Sequence, residues 1–213
     1  MDGQLRMTTA GHWRGKAGEE PGAFGARHAT ADPYYGRGDR MSHRLHIFDL
    51  DGTLAETWEA AILPGVKERL SALSGQVAVA TNQAGVGWRA VDGEPYPRAS
   101  EIGGRLVEVA EAVPRLKDAL WLVAIGDERV SLPAERWRAL ADALMGAASP
   151  LDVRASSKLS WRKPRPGMLL TACGAFDVRR EETIFVGDHH TDAEAADAAG
   201  GDFAVAERFF GRG

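Results

Sequence analysis

The stretch HIFDLDGTLAET, residues 46–57, ends a short apolar run with two aspartates, Asp49 and Asp51. Side chains two residues apart in extended backbone project to the same side, so both carboxylates can face one pocket. Gly52 follows them and allows the chain to turn sharply. Because two carboxylates so close together repel each other, the stretch predicts a compensating positive charge beside them.

The composition is that of a folded chain with a real apolar core. The protein has 213 residues, of which 44% are hydrophobic, and a formal net charge of -4. This charge argues against a strong general affinity for nucleic acid, although it leaves a local basic patch open. The single cysteine, Cys173, excludes an internal disulfide and argues against a cysteine-based zinc site, and we interpret it as a small buried apolar residue.

No apolar run reaches the roughly 18 residues that a membrane span needs, and no apolar signal core stands at the N-terminus. We therefore expect a cytoplasmic protein. Residues 1–42 are rich in Gly, Ala and charged residues and show no helical or strand period, so we predict a disordered or loosely attached extension. Met41 is a candidate alternative translation start. The folded domain is predicted to occupy residues 43–213.

From residue 44 onward, apolar strands alternate with helical patterns. Strands are predicted at 44–50, 76–82, 119–125, 183–188 and 201–206, and helices at 64–75, 99–116, 133–147, 166–176 and 191–201. The last of these helices is predicted to begin with a capping box from Thr191 to Glu194. This alternation predicts an α/β fold whose mostly parallel central sheet is covered by helices on both faces, a Rossmann-like three-layer sandwich.

Ligands of such sheets bind at the carboxyl ends of the strands. The polar residues at the ends of predicted strands are Asp49, Asp51, Thr81, Asn82 and Asp188. Asp192 lies about one helical turn beyond Asp188, and Lys163 would add a positive charge near the same edge. Hard oxygen ligands in an acidic cluster suit Mg²⁺, and a bound dication would remove the carboxylate repulsion.

Four segments in order resemble the motifs of the haloacid dehalogenase-like (HAD) superfamily: DLDGTL at 49–54, VATNQAG at 79–85, RKPRPGM at 162–168 and VGDHHTD at 186–192. The resemblance covers about residues 44–211, and each motif stands at a predicted strand end or loop. It implies that the domain at 43–213 is a HAD-like phosphatase domain. Because Asp51 is present, phosphate ester cleavage is favoured over dehalogenation.

The resemblance also implies a role for each matching residue. Asp49 would be the nucleophile that forms an aspartyl-phosphate, and Asp51 the general acid and base. Thr81 and the Asn82 amide would hold the phosphoryl oxygens, while Lys163 would offset negative charge. The implied Mg²⁺ site comprises Asp49, the Asp51 carbonyl, Asp188 and, through water or hydrogen bonds, Asp192.

Residues near these motifs are candidates for substrate binding. They are Gly52, Trp88, Arg89 and His189, the last paired with His190. Trp88 beside Arg89 could stack on a base, although a packing role for Trp88 stays open. Arg162, Lys163 and Arg165 form one small basic cluster, and Arg179 and Arg180 another.

TNQAGVG together with KPRPGM is similar to the branch of histidinol-phosphate, heptose-bisphosphate and polynucleotide 3'-phosphatases. The stretch before Lys163 holds no cysteine, which departs from the zinc-bearing members. The short span between Asp51 and Thr81 predicts little or no cap domain and an open site. We expect a Mg²⁺-dependent phosphomonoester hydrolase for a small metabolite of the sugar phosphate, bisphosphate or nucleotide type. The alternatives are a polynucleotide 3'-phosphatase in DNA end processing and a non-catalytic phosphate-binding module.

Overall fold

The structure is a computed structural model that describes residues 43–93 and 95–212. The predicted extension at 1–42, with the candidate start at Met41, lies outside the described residues. Among the helices of the described part, none is long and apolar enough to cross a membrane.

The centre of the described fold is a six-stranded sheet in which every strand pair is parallel. The strands are β1 Leu45–Phe48, β2 Gln76–Asn82, β3 Leu120–Ala124, β4 Asp152–Ser156, β5 Thr183–Gly187 and β6 Asp202–Val205, in the order β4-β3-β2-β1-β5-β6. Strand β1 is central, and it pairs with β2 on one side and β5 on the other. The strands that precede the first, second and fourth motifs are therefore direct neighbours.

Helices cover both faces of the sheet, which confirms the predicted three-layer α/β fold. They are α1 Val66–Ser71, α2 Gly85–Asp92, α3 Ala99–Ala112, α4 Ala134–Ala147, α5 Gly167–Phe176, α6 His190–Ala199 and α7 Ala206–Phe209. One core cluster packs α1, α3, α4 and α7 on one face around Trp121 and Phe48. The other packs α5 and α6 on the opposite face around Phe185. Burial of apolar side chains on both faces explains the continuous apolar runs of β1, β2 and β3.

Three elements were not predicted from the sequence: strand β4, helix α2 and the short helix α7. Strand β4 has the sequence DVRAS and lies at the edge of the sheet, half exposed, so it lacks the apolar run that marks the central strands. Helix α2 contains two glycines in GVGWRAVD and carries the candidate substrate residues Trp88 and Arg89. The predicted capping box from Thr191 to Glu194 is wrong.

Helix α6 begins two residues earlier than that box requires. Its N-cap is His189, whose backbone N–H donates to Oδ2 of Asp192 at 3.1 Å. Asp192 is fully buried, so the carboxylate that accepts the N–H of the N-cap also belongs to the interior of the site. The segment between β1 and β2 holds one loop and α1. The longer span from β2 to Lys163 holds α2, α3, β3, α4 and β4, all elements of the sandwich, in agreement with the prediction of little or no cap.

Candidate active site

The carboxyl edge of the sheet gathers three carboxylates around one buried lysine. Nζ of Lys163 lies 2.7 Å from Oδ1 of Asp49 and 2.7 Å from Oδ1 of Asp192. Asp188 completes the group, and one carboxylate oxygen from each aspartate lies within 4.8 Å of the others. Asp49, Lys163 and Asp192 are buried, whereas Asp188 is exposed. The cluster thus has a closed interior and one side open to solvent.

Burial and mutual repulsion dominate the electrostatics of this cluster. Burial raises the pKa of Asp49 to about 7, against the opposing charge of Lys163 and with support from Asp192 and Asp51. Burial alone would lower the pKa of Lys163, but Asp49 and Asp192 outweigh it and raise that pKa above its usual value. Desolvation of its carboxyl group and then the charge of Asp192 raise the pKa of Asp188, although the residue as a whole is exposed.

The donor set of this cluster fits a divalent cation. Three carboxylates against one ammonium leave two net negative charges when all four groups are ionised, and a hard dication with oxygen ligands would balance them. Both oxygens of Asp192 already contact the protein, one at Lys163 and one at the His189 N–H. Asp49 and Asp188 are therefore the better direct ligands, and Asp192 holds the lysine and the loop in place.

Gly52 gives Asp188 the space it occupies. Its φ is +76°, and a Cβ at this position would lie 2.2 Å from Oδ2 of Asp188. The other carboxylate oxygen of Asp188 accepts a 3.1 Å hydrogen bond from Oγ1 of Thr53. The Gly52 N–H donates to the Ala55 carbonyl, so it closes the turn rather than pointing at a ligand. Gly52 thus shapes the site through its lack of a side chain.

Asp51 stands apart from the three clustered carboxylates and has its own partners. Its Oδ1 lies 2.7 Å from Nη2 of Arg105, and its Oδ2 accepts a 2.7 Å hydrogen bond from Nε2 of Gln83. The same Gln83 amide donates to Oγ1 of Thr81 at 3.0 Å. Because that bond uses an oxygen lone pair of Thr81, the hydroxyl hydrogen of Thr81 remains able to donate to a bound phosphoryl oxygen.

The Asn82 side chain is occupied by the backbone of Lys163. Its Nδ2 donates to the Lys163 carbonyl at 3.2 Å, and its Oδ1 accepts from the Lys163 N–H at 3.0 Å. This pair of bonds joins the end of β2 to the lysine motif across the site. The side chain of Asn82 therefore positions Lys163, which leaves only the backbone of Asn82 for the predicted contact with a phosphoryl group.

The predicted substrate residues Trp88 and Arg89 tie α2 to the segment around Tyr96. The guanidinium of Arg129 lies over the Trp88 ring at 4.7 Å, and the Tyr96 ring lies 6.1 Å from it, centroid to centroid. Nη1 of Arg89 donates to the Tyr96 carbonyl at 2.9 Å. These contacts favour the packing interpretation of Trp88.

His189 is an exposed N-cap whose Nδ1 lies 3.1 Å from Oγ1 of Thr191.

Three residues that the sequence analysis did not single out reach the site. Thr53 bonds Asp188, Gln83 joins Asp51 to Thr81, and Arg105 reaches Asp51 from α3. Gln83 could have been found, because it is two residues from Thr81 and so projects to the same side in extended backbone. Arg105 could also have been found from the sequence, because it is a charged residue beside Ile102 and Leu106 on the apolar face of a helix.

A further candidate is Trp58, in the loop that follows the Asp51 turn. It is 56% exposed, the most exposed of the large hydrophobic residues that the structure describes, and its φ is +69°. Its ring end lies 3.5 Å from the place where a Gly85 Cβ would stand, at the start of α2. An exposed aromatic ring thus stands between the loop after Asp51 and the helix after Thr81.

Parts of this chain are similar to known proteins. Residues 160–206 match the family described as HAD-hydrolase-like. A curated relative, a phosphoglycolate phosphatase from Nitrosospira multiformis, is 33% identical over 93 residues, which cover 42% of this chain and 41% of the relative. The matched part thus spans about two fifths of that relative's length.

Among solved structures, a HAD-like protein from Mesorhizobium loti is 22% identical, with a TM-score of 0.46, and the match covers 78% of this chain and 72% of that chain. A glycerol phosphate phosphatase from Mycobacterium tuberculosis, crystallised with magnesium, is 18% identical, with a TM-score of 0.36 and coverage of 76% and 67%. The part of the chain that matches the HAD-hydrolase-like family includes the lysine motif and the Asp188 motif.

Proposed function

We propose that this chain is a Mg²⁺-dependent phosphomonoester hydrolase that acts through an aspartyl-phosphate on Asp49. The observation that carries the proposal is the arrangement of Asp49, Asp188 and Asp192 around the buried Lys163, with Asp51 held separately by other partners. Asp49 thus lies at the candidate cation site, whereas the carboxylate of Asp51 is held outside the three-carboxylate cluster. Phosphoryl transfer requires this division between charge neutralisation and proton transfer.

In the first step, a carboxylate oxygen of Asp49 attacks the phosphorus of the ester. The bond from phosphorus to the alcohol oxygen breaks, and Asp51 gives that oxygen a proton. Lys163 holds the Asp49 carboxylate in place through its 2.7 Å contact, and the Thr81 hydroxyl donates to a phosphoryl oxygen. Asp49 and Asp188 would hold Mg²⁺, which when bound supplies positive charge against the phosphoryl oxygens.

In the second step, water attacks the phosphorus of the aspartyl-phosphate. The bond between phosphorus and the Asp49 oxygen breaks, its electron pair returns to the Asp49 carboxylate, and Asp51 takes the proton from the water. The products are inorganic phosphate and the original enzyme. In the structure Nε2 of Gln83 donates a hydrogen bond to Oδ2 of Asp51, and the Arg105 guanidinium forms an ion pair with Oδ1 at 2.7 Å.

We infer that the substrate is a small phosphorylated metabolite. The curated relative is a phosphoglycolate phosphatase, which favours a small anionic ester such as phosphoglycolate over a larger one. The exposed ring of Trp58 offers a contact for the part of the substrate beyond the phosphate. Within the superfamily, the branch of histidinol-phosphate and heptose-bisphosphate phosphatases stays a prediction.

Three arginines of the two basic clusters have acidic partners in the structure. Arg162 lies 3.2 Å from Asp127, and Arg165 pairs with Glu128. Arg179 pairs with Glu182 in the same way. These pairings reduce the positive charge available to a phosphate backbone. A polynucleotide end is therefore the alternative substrate class, and a small metabolite is the expected one.

The test is phosphate release with and without Mg²⁺ across phosphoglycolate, glycerol phosphate, sugar phosphates and bisphosphates, histidinol phosphate, nucleotides and DNA ending in 3'-phosphate. Asp49→Asn should lose at least 10³-fold in kcat, because the amide is nearly isosteric and a poor nucleophile. The matched control is Asp142→Asn on the exposed face of α4, which should keep wild-type turnover. Turnover by Asp49→Asn, or binding of phosphate without hydrolysis by the wild type, would contradict the proposal, and the second result would favour a binding module.

A further inference from the structure

Arg105 is a buried charged residue in the middle of a core helix. Its side chain is 8% exposed, and it lies in α3 between turns that carry Ile102, Leu106 and Val109 into the core. Burying a guanidinium costs several kcal/mol, and buried ion pairs are often no more stabilising than apolar side chains of similar volume. The position of Arg105 therefore calls for an explanation beyond the packing of α3.

The contacts of Arg105 converge on Asp51 and on the loop that follows it. Nη2 lies 2.7 Å from Oδ1 of Asp51 and also donates to the Glu56 carbonyl at 2.8 Å. Nε donates to the Glu59 carbonyl at 2.7 Å. One planar guanidinium thus fixes the loop backbone and the carboxylate relative to each other, a geometry that the point charge of a lysine cannot reproduce.

Gln83 holds the second oxygen of Asp51, so the carboxylate is anchored from two directions. Arg105 comes from α3 and forms an ion pair with Oδ1, whereas Gln83 follows β2 and donates a hydrogen bond to Oδ2. These two contacts fix the orientation of the carboxylate. The arrangement therefore suits the second step of the proposed reaction, in which Asp51 accepts a proton from the attacking water.

We propose that Arg105 is a positioning residue for the hydrolysis of the aspartyl-phosphate. It orients the Asp51 carboxylate toward the attacking water, while the transfer of the phosphoryl group to Asp49 depends on it much less when the leaving group needs little protonation by Asp51. This inference rests on the proposed function of the site. Arg105 does not contact the reacting atoms, and its effect passes through Asp51.

The two steps can be measured separately with 4-nitrophenyl phosphate, whose leaving group needs little help from a general acid. Rapid-quench experiments give the rate of 4-nitrophenolate release for the first step and the rate of phosphate release for the second. In Arg105→Met, phosphate release should slow at least tenfold, nitrophenolate release should stay within threefold, and phosphoenzyme should accumulate. In steady state, kcat and KM should fall together.

Arg138→Met is the matched control, because Arg138 is exposed on α4 and should leave both rates unchanged. Arg105→Lys keeps the charge but loses the planar guanidinium, so it should slow phosphate release in the same way but less. It replaces Arg105→Met in this test if that variant does not fold. Asp51→Asn should slow phosphate release further than either. Equal slowing of both steps, or no slowing of phosphate release, would overturn the inference. The proposed function fails separately, if the wild type forms no phosphoenzyme and releases no phosphate.

Discussion

The close approach of Gly52 to Asp188 allows one substitution to test the predicted metal site. A Cβ at Gly52 would lie 2.2 Å from Oδ2 of Asp188, whereas contacts under 3.0 Å essentially never occur for real Cβ atoms. In Gly52→Ala the carboxylate must therefore retreat by about 0.8 Å. Metal–ligand distances tolerate only about ±0.2 Å, so Asp188 would leave its position as a ligand.

A second glycine, Gly200, provides a control for the backbone strain that Gly52→Ala introduces. The φ of Gly52 is +76°, and a non-glycine residue in the left-handed region costs about 1–2 kcal/mol. Gly200 has a φ of +80° at the C-terminus of α6, and a Cβ there would meet only Arg180, at 3.8 Å. Gly200→Ala therefore carries similar strain without disturbing the site.

Calorimetric titration with Mg²⁺ and phosphate release should separate the two variants. Gly52→Ala should bind Mg²⁺ at least tenfold more weakly and lose about 10²-fold in kcat, as expected for a ligand misplaced by almost 1 Å. Gly200→Ala should match the wild type in both assays and lose only stability. Wild-type Mg²⁺ affinity and turnover in Gly52→Ala would refute the assignment of Asp188 as a metal ligand.

Three further predictions concern the charge and packing of the site. Burial raises the pKa of Asp49 from 3.8 to about 7, so the folded metal-free protein binds more protons than the unfolded chain between these values. The Asp49 contribution to stability should therefore fall as pH rises from about 4 through 7, by roughly 4 kcal/mol at most, and urea unfolding in EDTA should show a steeper fall in the wild type than in Asp49→Asn, in which only the raised pKa of Asp188 still contributes. Lys163→Met leaves buried carboxylates without their cation and should cost about 3–5 kcal/mol in urea unfolding at pH 8, whereas exposed Lys158→Met should cost almost nothing; equal effects would contradict the buried ion pairs. Trp88→Ala removes the ring under Arg129 and should cost about 2 kcal/mol of stability with KM within threefold of the wild type, and a tenfold rise in KM at unchanged stability would instead assign Trp88 to the substrate.

The sequence alone predicted the frame of the site. The apolar runs that become β1, β2 and β5 each end in polar residues, and parallel strands bring their carboxyl ends to one edge. The structure places Asp49 and Asp188 after the neighbouring strands β1 and β5, and brings Lys163 between Asp49 and Asp192. Strand β4 and helix α2 escaped prediction because an exposed edge strand and a glycine-containing helix lack the apolar period of buried elements.

The contacts that hold these side chains depend on the three-dimensional packing of the chain. Asn82 bonds the backbone of Lys163 across 81 positions of the chain, and Arg105 reaches Asp51 from a different helix. Periodicity and strand ends are local properties of the chain, so they show which residues reach an edge. The partner of each polar group depends on the packing of distant segments, because a buried donor or acceptor must be satisfied by whatever the fold brings beside it.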